Sequence, residues 1–196
     1  MGNADWEAIV KEIRHSSDRT AGIVLAALVE RSLEQSIITS LPRHDEKTVR
    51  SLLGREGPLN SFYGKNHLGF ALGLYNKGTL DNLEIIRNVR NAFAHTALPI
   101  DFDTQQIADE IKKLKTYVSP EALAEFSGWS QYRTKYTAAC GMFVGVAHLK
   151  AFGSQLELIK RFFEAVSHYP EVTKQWSPDI LEQLTKTVDA MKNLKL

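Results

Sequence analysis

Only one cysteine, Cys140, occurs in 196 residues, so no disulfide can close within the chain, and a reducing compartment suits it. Charge of one sign is not in excess either. With 24 basic and 23 acidic residues the formal net charge is +1, which excludes a global positive field that would draw the chain onto nucleic acid and leaves only a local patch open. Long hydrophobic runs are missing. The most apolar stretch, Thr137 to Leu149, falls short of the roughly 20 residues needed to span a bilayer. The N-terminal residues Met1 to Trp6 lack the basic-then-apolar pattern of a secretory signal, and a cytoplasmic location follows as the expectation.

Several kinds of chemistry lack their sequence signature. The histidines at 15, 44, 67, 95, 148 and 168 never form His-x3-His with a nearby acid, so neither a metal site nor a cofactor is expected. Leu53-Gly54-Arg55-Glu56-Gly57 follows a helical segment and lacks the Gly-Lys-Ser/Thr ending of a phosphate loop. No serine–histidine–acid spacing stands out. Without a helix-turn-helix bearing a basic recognition helix, direct DNA binding is not expected. Cys140 lies among small apolar residues and reads as a packed thiol.

Helical periodicity is what remains, and it is nearly continuous. Helices are expected at about 4–15, 18–41, 46–54, 59–76, 80–97, 104–117, 130–152, 154–168 and 178–195, while strand-like alternation is scarce. The fold class is therefore all-α, a compact helical bundle. Asp18 is the expected cap of the second helix, Asp103 or Thr104 of the sixth, and Ser177-Pro178 opens the last. Turns are expected at Gly57-Pro58 and Asn76-Lys77-Gly78. A softer division near 117–130 separates a core, 1–117, from a helical C-terminal extension, 118–196. That extension opens with a helix rich in Ala138, Ala139, Cys140, Gly141, Gly145 and Ala147, in which the glycines call for a close contact within the fold or across a dimer.

The helix over 80–97 is apolar around most of its circumference. Leu83, Ile86, Val89, Phe93, Ala94 and Ala97 share one face, widened by Ile85 and Ala92, so the helix should be central. Glu84, Asn88, Asn91 and His95, spaced i, i+4, i+7 and i+11, form a narrow polar stripe that must meet water, a partner or a groove. Arg90 falls on the apolar side. Glu30 lies equally out of place in the stripe Ile23, Ala26, Leu33, Ile37 and Leu41. One misplaced acid and one misplaced base point to a buried pair, Glu30 with Arg90, with Arg87 as the second choice for the base. Such a pair either orients two helices or helps assemble a site. His95 reads equally as a helix-end cation or as part of a site.

The combination Ser17-Asp18-Arg19 with Glu30, Gly57-Pro58-Leu59, and Ile86-Arg87-Asn88-Val89-Arg90-Asn91-Ala92-Phe93-Ala94-His95 resembles the mannitol operon repressor family over about 15–117. The resemblance implies an all-helical protein that acts in bacterial transcriptional control without a recognisable DNA-binding element. Arg90 and His95 also resemble the Arg-x4–6-His motif of HEPN domains. In those domains the pair lines a groove between two subunits, and many members cleave RNA without metal. That second resemblance implies a homodimer in which Arg90 stabilises developing phosphate charge, His95 serves as general base or acid at the ribose 2′-hydroxyl, and Asn91 orients it. Two functions stay open: a regulator that binds a protein or RNA partner, with Glu84 and Asn88 in its groove, and a metal-independent ribonuclease.

Overall fold

The computed structural model describes residues 3–116, 118, 124 and 126–147, and these are all-α, with no strand among the described residues. In chain order the helices are α1 (Asn3–Arg14), α2 (Asp18–Ser40), α3 (Glu46–Leu53), α4 (Phe62–Ala71), α5 (Lys77–His95), α6 (Gln105–Lys112) and α7 (131–147). The helices expected at 154–168 and 178–195, the Ser177-Pro178 cap and most of the 118–196 extension lie outside the described residues. None of the described helices is long and apolar enough to cross a membrane.

The antiparallel pair α2 and α5 forms the centre. Ala21, Leu25, Ala26, Val29, Leu33 and Ile37 from α2 interlock with Leu83, Ile86, Val89 and Phe93 from α5, all of them buried. Burying each of the larger side chains contributes roughly 1.5–3 kcal/mol. Gly22 permits the closest approach: a Cβ there would sit 2.4 Å from a Phe93 ring carbon. The start of α2 is pinned to the end of α5 by Arg19, which donates to the carbonyls of Thr96 (2.8 Å) and Leu98 (2.7 Å). Those carbonyls lie just beyond the last turn of α5, where a cation is favoured.

Around this pair the other helices are fixed by specific polar contacts. Asn82 on α5 exchanges hydrogen bonds with the backbone of Lys115 (2.9 and 3.1 Å), which holds the segment after α6. From α7 the fully buried Tyr136 hydroxyl donates toward the carbonyls of Gly22 (3.1 Å) and Ile86 (3.4 Å). Arg133, stacked on Trp129 at 4.4 Å, donates to the carbonyls of Ile13 (2.5 Å) and Ser16 (3.2 Å) at the end of α1 and to Asp18 (2.6 Å). Ala139, Cys140 and Val144 complete the α7 contribution, so residues 131–147 share one core with the preceding helices.

Several local expectations need correcting. The cap of α2 is Ser17, whose hydroxyl accepts from the Thr20 amide, while Asp18 begins the helix and its carboxylate holds Arg133 and the Phe102 amide. Thr104 caps α6 without a side-chain bond. Asn76 belongs to no free turn; its side chain caps α5 through Thr79, and Lys77-Gly78 already lie in the helix. The chain instead reverses after α4 at Gly73, whose φ of 70° suits glycine. Gly145 makes no close approach among the described residues, since nothing stands within 4 Å of the position its Cβ would take.

Candidate functional site

The site-bearing surface is built where α4 crosses α5. Ser61 caps α4 by accepting from the Gly64 amide at 3.0 Å, which fixes the helix start and the faces that follow. Phe62, Lys65, Asn66 and Gly69, spaced i, i+3, i+4 and i+7, turn inward. Tyr63, His67 and Phe70 turn outward: Tyr63 is 53% and Phe70 39% exposed, and the His67 side chain is 45% exposed. The helix runs antiparallel to α5, with Tyr63 beside Arg87 and Asn66 beside Glu84 and Leu80.

Two polar networks anchor this crossing. In the first, the buried Lys65 ammonium lies 2.9 Å from Glu30 and 2.7 Å from Glu34, both on α2. Burial pulls its pKa down, but the hydrogen bonds from Glu34 and Glu30 outweigh that and the net direction is upward. In the second, Asn66 donates to Glu84 (2.9 Å) and to the Leu80 carbonyl (3.3 Å). It also receives the Tyr75 hydroxyl on its side-chain oxygen (2.9 Å). Glu84 accepts two bonds from Arg87 (3.1 and 2.9 Å), and His67 stands 3.7 Å from it.

The expected Glu30–Arg90 pair does not form. Glu30 faces α4 and takes Lys65, while the second choice, Arg87, is held one turn away by Glu84 on its own helix. Lys65 was the missing base, and its signal was legible: it falls in the stripe Phe62–Asn66–Gly69, as misplaced among core positions as Glu30 is on α2. Arg90 donates instead to the side-chain oxygen of Asn91 at 3.0 Å. Among the described residues no carboxylate lies within ion-pair distance of it.

The polar stripe of α5 is thereby divided. Glu84 is consumed by the α4 crossing, whereas Asn88 and His95 are exposed and Asn91 half-buried. Ala94 and Ala97, expected on the apolar face, are also exposed, because the covering helix α4 begins near Arg87 and leaves the last turns of α5 bare. The His95 imidazole, at the final helical position, has no hydrogen-bond partner among the described residues. Tyr63 and Arg87 were not singled out from sequence. The ring of Tyr63 lies 4.2 Å from that of His67, with the Arg87 guanidinium 5.6 Å from its centroid.

The described residues contain no group of three or more histidine, cysteine, aspartate or glutamate side chains arranged to hold a metal ion. Cys140 is buried beside Tyr136, and burial raises its thiol pKa far above the ordinary value. That describes a packed thiol and not a nucleophile. No protein-family model matches this chain, and neither the curated proteins nor the solved structures provide a match.

Proposed function

We propose that this chain is a bacterial regulatory interaction protein of the mannitol-repressor-like type, working in the cytoplasm by holding a partner on the α4–α5 face. The observation that carries the reading is how Arg90, Asn91 and His95 are bonded. Asn91, which the HEPN resemblance assigns to orienting His95, is engaged by Arg90 at 3.0 Å. That leaves His95 exposed and without an orienting group. A general base needs a fixed position relative to its proton. One copy of the chain therefore offers a recognition surface of amide, imidazole and guanidinium groups, not an assembled acid–base site.

The test is complementation. Transcripts are compared between cells lacking the chain and cells supplied with wild type or with Arg90→Glu/His95→Ala. Wild type should restore the profile and the double variant should not. Full restoration by a folded double variant would remove this face from the function.

A second reading is favoured by one observation: Arg90 has no carboxylate partner among the described residues, so its guanidinium can still take a phosphate. In a homodimer, the partner subunit could supply the orientation His95 lacks, giving a metal-independent ribonuclease of the HEPN type. Light scattering on the purified chain tests the dimer, and RNA cleavage in excess chelator tests the chemistry.

A further inference from the structure

Resting on the regulatory reading, we infer that the partner held on the α4–α5 face is single-stranded RNA, stacked on Tyr63 and anchored by Arg90. Three chemistries meet along this surface. The first is an aromatic platform: Tyr63 is more than half exposed and is braced from below by His67 and Arg87. Bases stack on such a ring regardless of sequence. The second is a demand for an anion. Arg87 is neutralised by Glu84, but Arg90, one turn further along α5, is matched by no carboxylate among the described residues. The third is the exposed amide of Asn88 with the half-buried amide of Asn91, which can donate to and accept from base edges or a ribose 2′-hydroxyl.

The spacing suits a short strand. From Arg87 to His95 the helix rises about 12 Å, at roughly 1.5 Å per residue. That spans about three to four nucleotides at ~3.4 Å each along one strand. An apolar partner helix would cover Tyr63 and leave Arg90 without its counter-charge. A nucleic-acid duplex would satisfy Arg90 but expose no base face to Tyr63. An unpaired strand supplies both groups. With a chain net charge of only +1, stacking should dominate over phosphate attraction, so binding should depend weakly on salt.

The test is fluorescence anisotropy of a labelled adenosine 12-mer RNA titrated with the full chain, RNA integrity being checked on a gel. Tyr63→Leu keeps an apolar side chain at an exposed position and removes the ring; Tyr63→Phe keeps the ring. The expected result is binding weakened about tenfold by Tyr63→Leu and within about twofold of wild type for Tyr63→Phe. The wild-type slope of log affinity against log salt should be about −0.7 to −1.4, for one or two phosphates neutralised. Equal binding by wild type and Tyr63→Leu would overturn the platform, and so would failure of wild type to bind the RNA. The regulatory reading is judged separately by complementation. Transcript control kept by Tyr63→Leu after its RNA binding is lost would reject RNA as the regulatory partner and leave the regulator intact.

Discussion

Glu30 on α2 meets Lys65 on α4 at 2.9 Å, and this pair, not one between Glu30 and Arg90, resolves the misplaced charges of the sequence. Lys65 also holds Glu34, so one buried ammonium serves two carboxylates that retain some contact with water. Lys65→Met should therefore destabilise the fold by about 2–3 kcal/mol, less than for a fully enclosed pair because the stranded acids can rehydrate. That corresponds to a fall in Tm of roughly 5–10 °C. Glu30→Gln should cost less, since Glu34 remains. Calorimetry on the two variants checks the order, and a larger loss in Glu30→Gln would contradict it.

Removing the side chain of Arg90 should be mild. Its one hydrogen bond, to a neighbouring amide, contributes about 1 kcal/mol or less. Arg90→Ala and His95→Ala should both melt close to wild type. A loss of several kcal/mol in Arg90→Ala would restore the buried-pair idea.

Gly22→Ala should destabilise by about 1–3 kcal/mol despite the better helix propensity of alanine. The new methyl would meet the Phe93 ring, which is fully buried and has nowhere to move. Urea unfolding measures this, and a stabilised variant would show that α2 and α5 can separate without cost.

Alkaline pH should unfold the chain through four groups acting in one direction. Burial raises Cys140 above its ordinary 9.0 and Tyr136 above 10.0; burial and then the Glu84 charge raise Tyr75; and Lys65 rises above 10.5 because its glutamate bonds outweigh burial. Each folded-state pKa is raised, so the unfolded chain releases its proton first. The stabilisation is fully present below about pH 9 and is lost as pH rises through the folded values. Urea midpoints should hold to about pH 9 and then decline, with Cys140→Ala delaying the onset towards pH 10. A flat profile from pH 8 to 11 would contradict this.

Much of the architecture was legible from the residues because the periodicity of α2 and α5 is strong and their core positions are aliphatic. The α5 stripe was read correctly as to position, but its partners could not be. Pairing depends on which helix crosses which, and a single-helix pattern does not encode that α4 lies over Glu84 and stops before Asn91. Asp18 illustrates the same point locally. Its type suits a cap, yet Ser17 takes that role and frees Asp18 for Arg133, 115 residues away. Tyr63 escaped notice because an isolated exposed tyrosine carries no pattern until Arg87 and His67 are placed beside it.

The most direct test of the central claim, recognition without turnover on the α4–α5 face, is incubation of varied single-stranded and structured RNAs with wild type and folded His95→Ala in excess chelator. The account predicts no cleavage above buffer by either protein. Cleavage by wild type that disappears in His95→Ala would contradict it and make this surface a ribonuclease active site.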